Sequence, residues 1–367
     1  MSSANIHPER GFLPYPDPLL ELPSVYRAWD ELGSAMPELL KNDDFRKALL
    51  DMHQLDPVGI QDGPELDRSM RLLSMFANAY VNWGEPVNSI PKNLAVPLWE
   101  IARRSGRPPI ASHASIVLSN WCRIDPDGPI IPENLKTLQN FLGSRDEDWF
   151  YLATVGVEST GGGTGVNLIS CMDAARNENL GEVIASLKSL SGVIHDMTFA
   201  LERMYEYCRS DVFYHRIRPF LNGWSNEGII YEGISDEPKV FIGGSAAQSS
   251  LLQALDAGLG IDHTSTHSSP FLIEMRKYMP PGHREFISFL EAEPSLRNYV
   301  KKEISAEVNR TYSECVSKLE MFREKHLKMA IHYITDQAQR GETAKGTGGT
   351  EFVKFLKTAK KETNDTR

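Results

Sequence analysis

Residues 182–208, "EVIASLKSLSGVIHDMTFALERMYEYC", carry the reading of the fold. Ile184, Leu187, Leu190, Ile194, Met197, Leu201, Met204 and Cys208 recur at steps of three and four. That spacing lays one continuous apolar stripe along a helix. The same period runs through "PELLKNDDFRKALLDM" (37–52), "ASIVLSNWC" (114–122) and "SAEVNRTYSECVSKLEMFREKHLKMAIHYI" (305–334). Two-residue alternation is nearly absent. Pro and Gly cluster between the periodic runs, at 12–18, 105–109, 125–132, 219–244 and 279–282. The pattern predicts an all-α protein of about a dozen or more helices, with no fixed-period repeat.

A chain of 367 residues makes one large or two ordinary domains. "RIDPDGPIIPENL" (123–135) is a turn-rich break, and "GSRDEDW" (143–149) is a polar approach to the next apolar run. The expected division is a small N-terminal helical domain, 1–141, and a large C-terminal helical domain, 142–367. The formal net charge of -10 argues against nucleic acid or an anionic membrane as the main partner, since either favours a basic face. Cys122, Cys171, Cys208 and Cys315 form no CxxC unit and read as small buried hydrophobes. The first residues have no apolar signal region, and no apolar run approaches the length of a membrane span. A cytoplasmic, monomeric protein is expected.

Two histidines, His326 and His332, share the helix that ends in "MFREKHLKMAIHYI" (321–334). At about 100° per residue, Leu319, Phe322, Met329, Ala330 and Tyr333 fall on one face with His326 near its middle. His332 falls opposite, near Lys325 and Lys328, and reads as solvated. On pattern alone His326 is either a satisfied core histidine or an axial ligand to a haem iron, which needs an apolar wall with one projecting imidazole. Arg323, at the edge of that face, requires a carboxylate from the protein or from a haem propionate.

Other stretches are ambiguous in the same way. "VESTGGGTGVNLI" (157–169) looks like a phosphate cradle, but it lacks the P-loop Lys and the GxGxxG spacing, and no strand precedes it. "FIGGSAAQSS" (241–250) is a linker into a helix with Ser245 near the N-cap, or a place where backbone approaches a flat ligand. "FYHRIRPFLNGW" (213–224) sets Arg218 among aromatics, a structural arginine or a clamp for a carboxylate on an aromatic ligand. The polar tail from Thr335 passes through "KGTGGTEFVKFLK" (345–357), as a linker or as a mobile Gly/Thr lid over 338–350. No Ser-His-Asp order, HExxH or useful acidic pair is present. The residues alone lead to an all-α protein with a candidate haem site.

Taken together, "VLSNW" (117–121), "WFYLATVGVE" (149–158), "FYHRIRPFLNGW", "FIGGSAAQSSLLQALDAGLGI" (241–261), "MRKYMPPGHREF" (275–286), "HLKMAIHYI" (326–334) and "KGTGGTEFVKFLK" resemble the indoleamine 2,3-dioxygenase family, in the family's order and with the look of a fungal member. The resemblance implies haem b as cofactor. L-tryptophan and O₂ are then the substrates, N-formylkynurenine the product, and the reaction the first step of the kynurenine route toward NAD. An unidentified electron donor must restore ferrous iron. By position, His326 matches the proximal haem ligand, and Arg323 with Asp256 a proximal-side ion pair. Phe213 matches the aromatic that packs on the indole, and Arg218 the clamp on the substrate carboxylate. Phe150 and Tyr151 match the aromatic wall of the distal pocket. Gly244, Ser245 and Ala246 match backbone over the haem edge, and Thr347 matches a lid residue closing on the substrate ammonium. Two positions depart from the animal pattern. Thr154 stands where serine is usual, and His113 where tyrosine is usual. The reaction needs ferrous haem, an open sixth position and an apolar pocket rather than a strong protein base. The competing reading is a haem protein of this fold that binds O₂ without useful turnover, for storage or sensing. A helical scaffold with no cofactor is a third.

Overall fold

The computed structural model describes residues 6–263, 268–302, 305–338, 346–347 and 352–366. Helices of ten or more residues are α1 (Arg27–Lys41), α2 (Pro64–Asn82), α3 (Lys92–Ser105), α4 (Arg145–Thr160), α5 (Thr164–Arg176), α6 (Leu180–Glu202), α7 (Ser250–Leu259), α8 (Pro281–Ala292), α9 (Ala306–Ala330) and α10 (Phe352–Asn364). The protein is all-α, as the periodicity predicts.

The stripe that opened the reading belongs to α6. Asn179 caps its start by accepting from Glu182 N, and the helix stops at Glu202. A separate turn, Met204–Tyr207, carries the stripe on to Met204 and Cys208, which are buried. Leu187, Leu190, Ile194 and Met197 are fully buried where α6 packs on α5 and α9. Burying each contributes about 1.5–3 kcal/mol, and Leu190→Ala would cost about 2–5 kcal/mol once its cavity is counted.

Two apolar clusters make the core. One runs through α1, α2, α3 and α4 and also takes Phe213, Phe220, Tyr231, Met329 and Tyr333. The other gathers α5, α6, α7, α8 and α9. At the start of α4, Ser144 accepts from Glu147 N. The buried Glu147 carboxylate reaches back to accept from the backbone N–H of Phe141, Leu142 and Gly143. The polar run "GSRDEDW" is therefore a helix cap folded into the core.

The structure adds strands that periodicity did not predict. β1 (Ser89–Ile90) lies parallel to β4 (Trp224–Tyr231), and β4 pairs antiparallel with β5 (Ser235–Phe241), with Ile229 opposite Lys239. β2 (Trp121–Arg123) pairs with β3 (Leu135–Thr137) around the Pro/Gly turn at 125–132. The hairpin was hidden because β5 is exposed or half-exposed throughout and so has no apolar alternation. The four cysteines are free and buried, and burial pushes the thiols of Cys171, Cys208 and Cys315 up to about 12. Among the described residues no helix is long and apolar enough to cross a membrane.

Candidate functional site

Three short π-turns, Ala114–Leu118, Phe213–Ile217 and Ile331–Thr335, converge on one place. Such turns displace the regular helical ladder and recur at functional sites. Ile116 and Val117 from the first, Phe213 from the second, and Tyr333 and Ile334 from the third line one cavity of about 240 Å³. A chamber of about 60 Å³ shares His113, Thr154, Leu201, Met204, Ala246 and His326 with it.

The two histidines take different places. Leu319, Phe322, Met329 and Tyr333 are buried along α9 and its final turn. Half-buried His326 opens from that face onto both cavities. Burial, then the charge of Arg323, holds its imidazole down at about 4. It is neutral at pH 7, the form that ligates a metal. His332 is exposed, beside the rings of Tyr205 and Tyr333, and lines neither cavity.

Behind His326, Arg323 pairs with Asp256 of α7. It also donates to Thr363 Oγ1 and, at 3.2 Å, to Ala359 O of α10. Burial alone would raise the Asp256 carboxyl, but Arg323 and His263 outweigh it and hold the group below the usual range. The charge that looked awkward on an apolar face thus has its carboxylate within the protein.

Across the cavity, Phe213 and Phe150 meet at 4.8 Å between ring centroids, and Phe213 meets Tyr333 at 5.7 Å. Arg218 follows the second π-turn and lines the cavity, its guanidinium 5.4 Å from the Tyr214 ring. It is the one arginine or lysine among the described lining residues, which include no Asp or Glu. Burial lowers its pKa, and its charge is poorly solvated. Thr154 lines the cavity but donates its hydroxyl to Phe150 O, 2.7 Å away on its own helix. Tyr151, expected in the same aromatic wall, is not among the described lining residues. One residue on from Phe150 it turns about 100° away, is fully buried, and points its hydroxyl at Glu147.

Gly244, Ser245 and Ala246 form the opposite rim. Ser245 closes a capping box with Gln248. A Cβ on Gly244 would lie 3.0 Å from Ile116 Cδ1, so a side chain there would crowd the wall. Thr347 lines the cavity and donates to Gly244 O at 2.6 Å. Of the Gly/Thr loop expected over 338–350, only Ala338, Gly346 and Thr347 are among the described residues; the rest lies outside them.

Sequence reasoning missed Glu158 and Ser249. His113 is buried, its backbone N–H donates to Gln248 Oε1 at 3.0 Å, and its Nε2 lies 2.9 Å from Glu158 Oε1. Ser249 Oγ donates to that same oxygen at 2.7 Å, while Glu158 Oε2 is buried with no hydrogen-bond partner among the described residues. Spacing could have found Glu158. Phe150, Thr154 and Glu158 are four residues apart on one face of α4. Ser249 gave no such signal.

The residues fit a flat apolar cofactor held by one axial imidazole. The lining is mostly aliphatic and aromatic, the neutral imidazole of His326 faces it, and a side chain at Gly244 would press on Ile116. The second wall sets the tilted and edge-on rings of Phe150, Phe213 and Tyr333 beside a fixed positive charge, which suits an aromatic ligand bearing a carboxylate.

The family model described as indoleamine 2,3-dioxygenase matches residues 1–366. Indoleamine 2,3-dioxygenase 2 of Mus musculus is 35% identical over 380 residues, spanning 98% of this chain and 93% of its own length. The indoleamine 2,3-dioxygenase of Saccharomyces cerevisiae is 35% identical over 416 residues, spanning 98% of this chain and 91% of its own. A protein of Haliotis madaka named myoglobin is 29% identical over 379 residues, spanning 99% and 97%.

Proposed function

The chain belongs to the indoleamine 2,3-dioxygenase family, and we propose that it inserts both atoms of O₂ across the indole C2–C3 bond of L-tryptophan to give N-formylkynurenine, the first step toward NAD by the kynurenine route. As a member it is a haem-dependent dioxygenase acting on tryptophan, and haem b is its cofactor. The observation that carries the finer reading is the cavity itself. The imidazole of His326, held neutral, and the ring of His113 line it together with aromatics, and its described lining has a single fixed charge, at Arg218.

Haem, when bound, supplies the ferrous chemistry that activates O₂ toward a carbon–carbon double bond. The chain's residues hold and orient. His326 is the residue that would hold the iron, and the Arg323–Asp256 pair fixes the turn of α9 that carries it. Phe213 and Phe150 hold the indole ring. Arg218 takes the substrate carboxylate, and Gly244, Ser245 and Ala246, which line the same cavity, would border the cofactor. Thr347, tied to Gly244, closes on the ammonium. His113, held by Glu158 through Nε2, lines the same cavity. An apolar wall excludes water, and no protein base is needed. The protein works as a monomer supplied by a separate electron donor.

The O₂-binding alternative uses the same scaffold. It is not favoured, because relatives of higher identity, from mouse and yeast, are named dioxygenases. Isotopically heavy O₂ tests the proposal. Both labelled atoms should appear in the product of L-tryptophan turnover; label in neither or only one would overturn insertion across the bond.

A further inference from the structure

His263 lies between two carboxylates on different helices. Its Nε2 is 2.9 Å from Asp256 Oδ2 on α7, and its Nδ1 is 2.7 Å from Glu362 Oε2 on α10. All three side chains are largely buried. Asp256 in turn holds Arg323, three residues before His326, and Arg323 reaches back to Thr363 and Ala359 of α10. The two helices are therefore joined twice, with Glu362–His263–Asp256–Arg323 as one chain of alternating charge. Phe352, Phe355 and Leu356, at the start of α10, line the cavity.

We propose that His263, as an imidazolium bridging Asp256 and Glu362, is a positioning residue that fastens the cavity-wall helix α10 to the ion pair behind His326. Only an imidazolium can donate from both nitrogens. A neutral ring must turn a lone pair toward one of two carboxylate oxygens less than 3 Å away. It also leaves two buried anions facing one buried arginine, an unbalanced and costly arrangement. Other charged groups near His263 are Asp262, Arg276, Glu291, Arg297 and Lys301, which line the same hollow. Arg276 is engaged by Glu291, and Arg297 donates to Asp365 O beyond α10. Burial opposes the charge on His263, and Arg323 adds to that. Asp256, with help from Glu362, outweighs both and holds the imidazole above its ordinary value of 6.5. A raised folded pKa means that the fastening is complete below the ordinary histidine range. It is lost as pH rises through the raised value.

The link from α10 to α9 stands on geometry alone; its bearing on the cofactor rests on His326 as the ligand. Amide hydrogen exchange over 352–364, on the full chain both without and with haem, tests the two separately. Exchange there, corrected for intrinsic rates, should accelerate on the order of tenfold between about pH 6 and about pH 9. His263→Gln should exchange fast at every pH. His263→Lys, which keeps a cation, should restore protection and flatten the profile, and Glu362→Gln should reproduce the His263→Gln pattern. Protection of 352–364 that is independent of pH, or equal in His263→Gln and His263→Lys, would overturn the proposal. If His263→Gln fails to fold, the wild-type profile and Glu362→Gln decide it. The expected profile in a chain that takes up no haem would sustain the fastening and refute the cofactor reading instead.

Discussion

Replacing Arg218 with Gln removes the one fixed charge from the described cavity lining while keeping length and polarity. Arg218 is partly buried and its guanidinium poorly solvated. A planar fork on a carboxylate forms two charge-assisted hydrogen bonds. Losing an interaction of this kind costs about 2–3 kcal/mol, which is about 30- to 150-fold in kcat/KM at 1.36 kcal/mol per tenfold. Haem content should not change, because Arg218 belongs to the aromatic wall rather than to the turn that bears His326. Tryptamine, which has the indole but no carboxylate, supplies the control. The wild-type enzyme should discriminate against it, and Arg218→Gln should lose most of that discrimination. The assay is steady-state turnover of both substrates by both proteins, normalised to haem. A variant with unchanged kcat/KM for tryptophan, or with its loss shared equally by tryptamine, would refute the carboxylate role.

Other substitutions read out other parts of the site. His326→Ala should lose the Soret band of the purified protein while His332→Ala keeps it; haem retained in the first would remove His326 as ligand. Asp256→Ala leaves Arg323 buried without its carboxylate, a loss of about 3–5 kcal/mol for a broken buried pair, visible as a lower urea midpoint, and an unchanged midpoint would contradict the pair's structural weight. Glu158→Gln removes the anion that holds His113 and should shift tryptophan affinity in the same direction as His113→Tyr. If neither variant moves affinity, His113 is a structural residue.

Helical content was legible because burial repeats with the helical period. Leu187, Leu190, Ile194 and Met197 are as deeply buried as their spacing requires. The β4–β5 hairpin was not legible, since β5 buries no regular face and the hairpin's Gly228, Gly233 and Pro238 read as loop. His326 was placed on the correct face by period alone, but pattern could not separate a core histidine from a ligand. That distinction depends on the cavity beside it, which is closed by residues from distant parts of the chain. The π-turns at 114–118, 213–217 and 331–335 have no sequence period and were invisible. Phe150 and Tyr151 are neighbours in one motif, but the helix sends Phe150 to the cavity and Tyr151 into the core. His263 lay in no motif, and its importance arises only where α7 and α10 meet.

The central claim is that this cavity catalyses dioxygen insertion rather than storing O₂. Protein reduced without oxygen, then mixed with O₂ and L-tryptophan, should develop the absorbance of N-formylkynurenine over repeated turnovers. Reversible O₂ binding with no product, in protein loaded with ferrous haem, would contradict it.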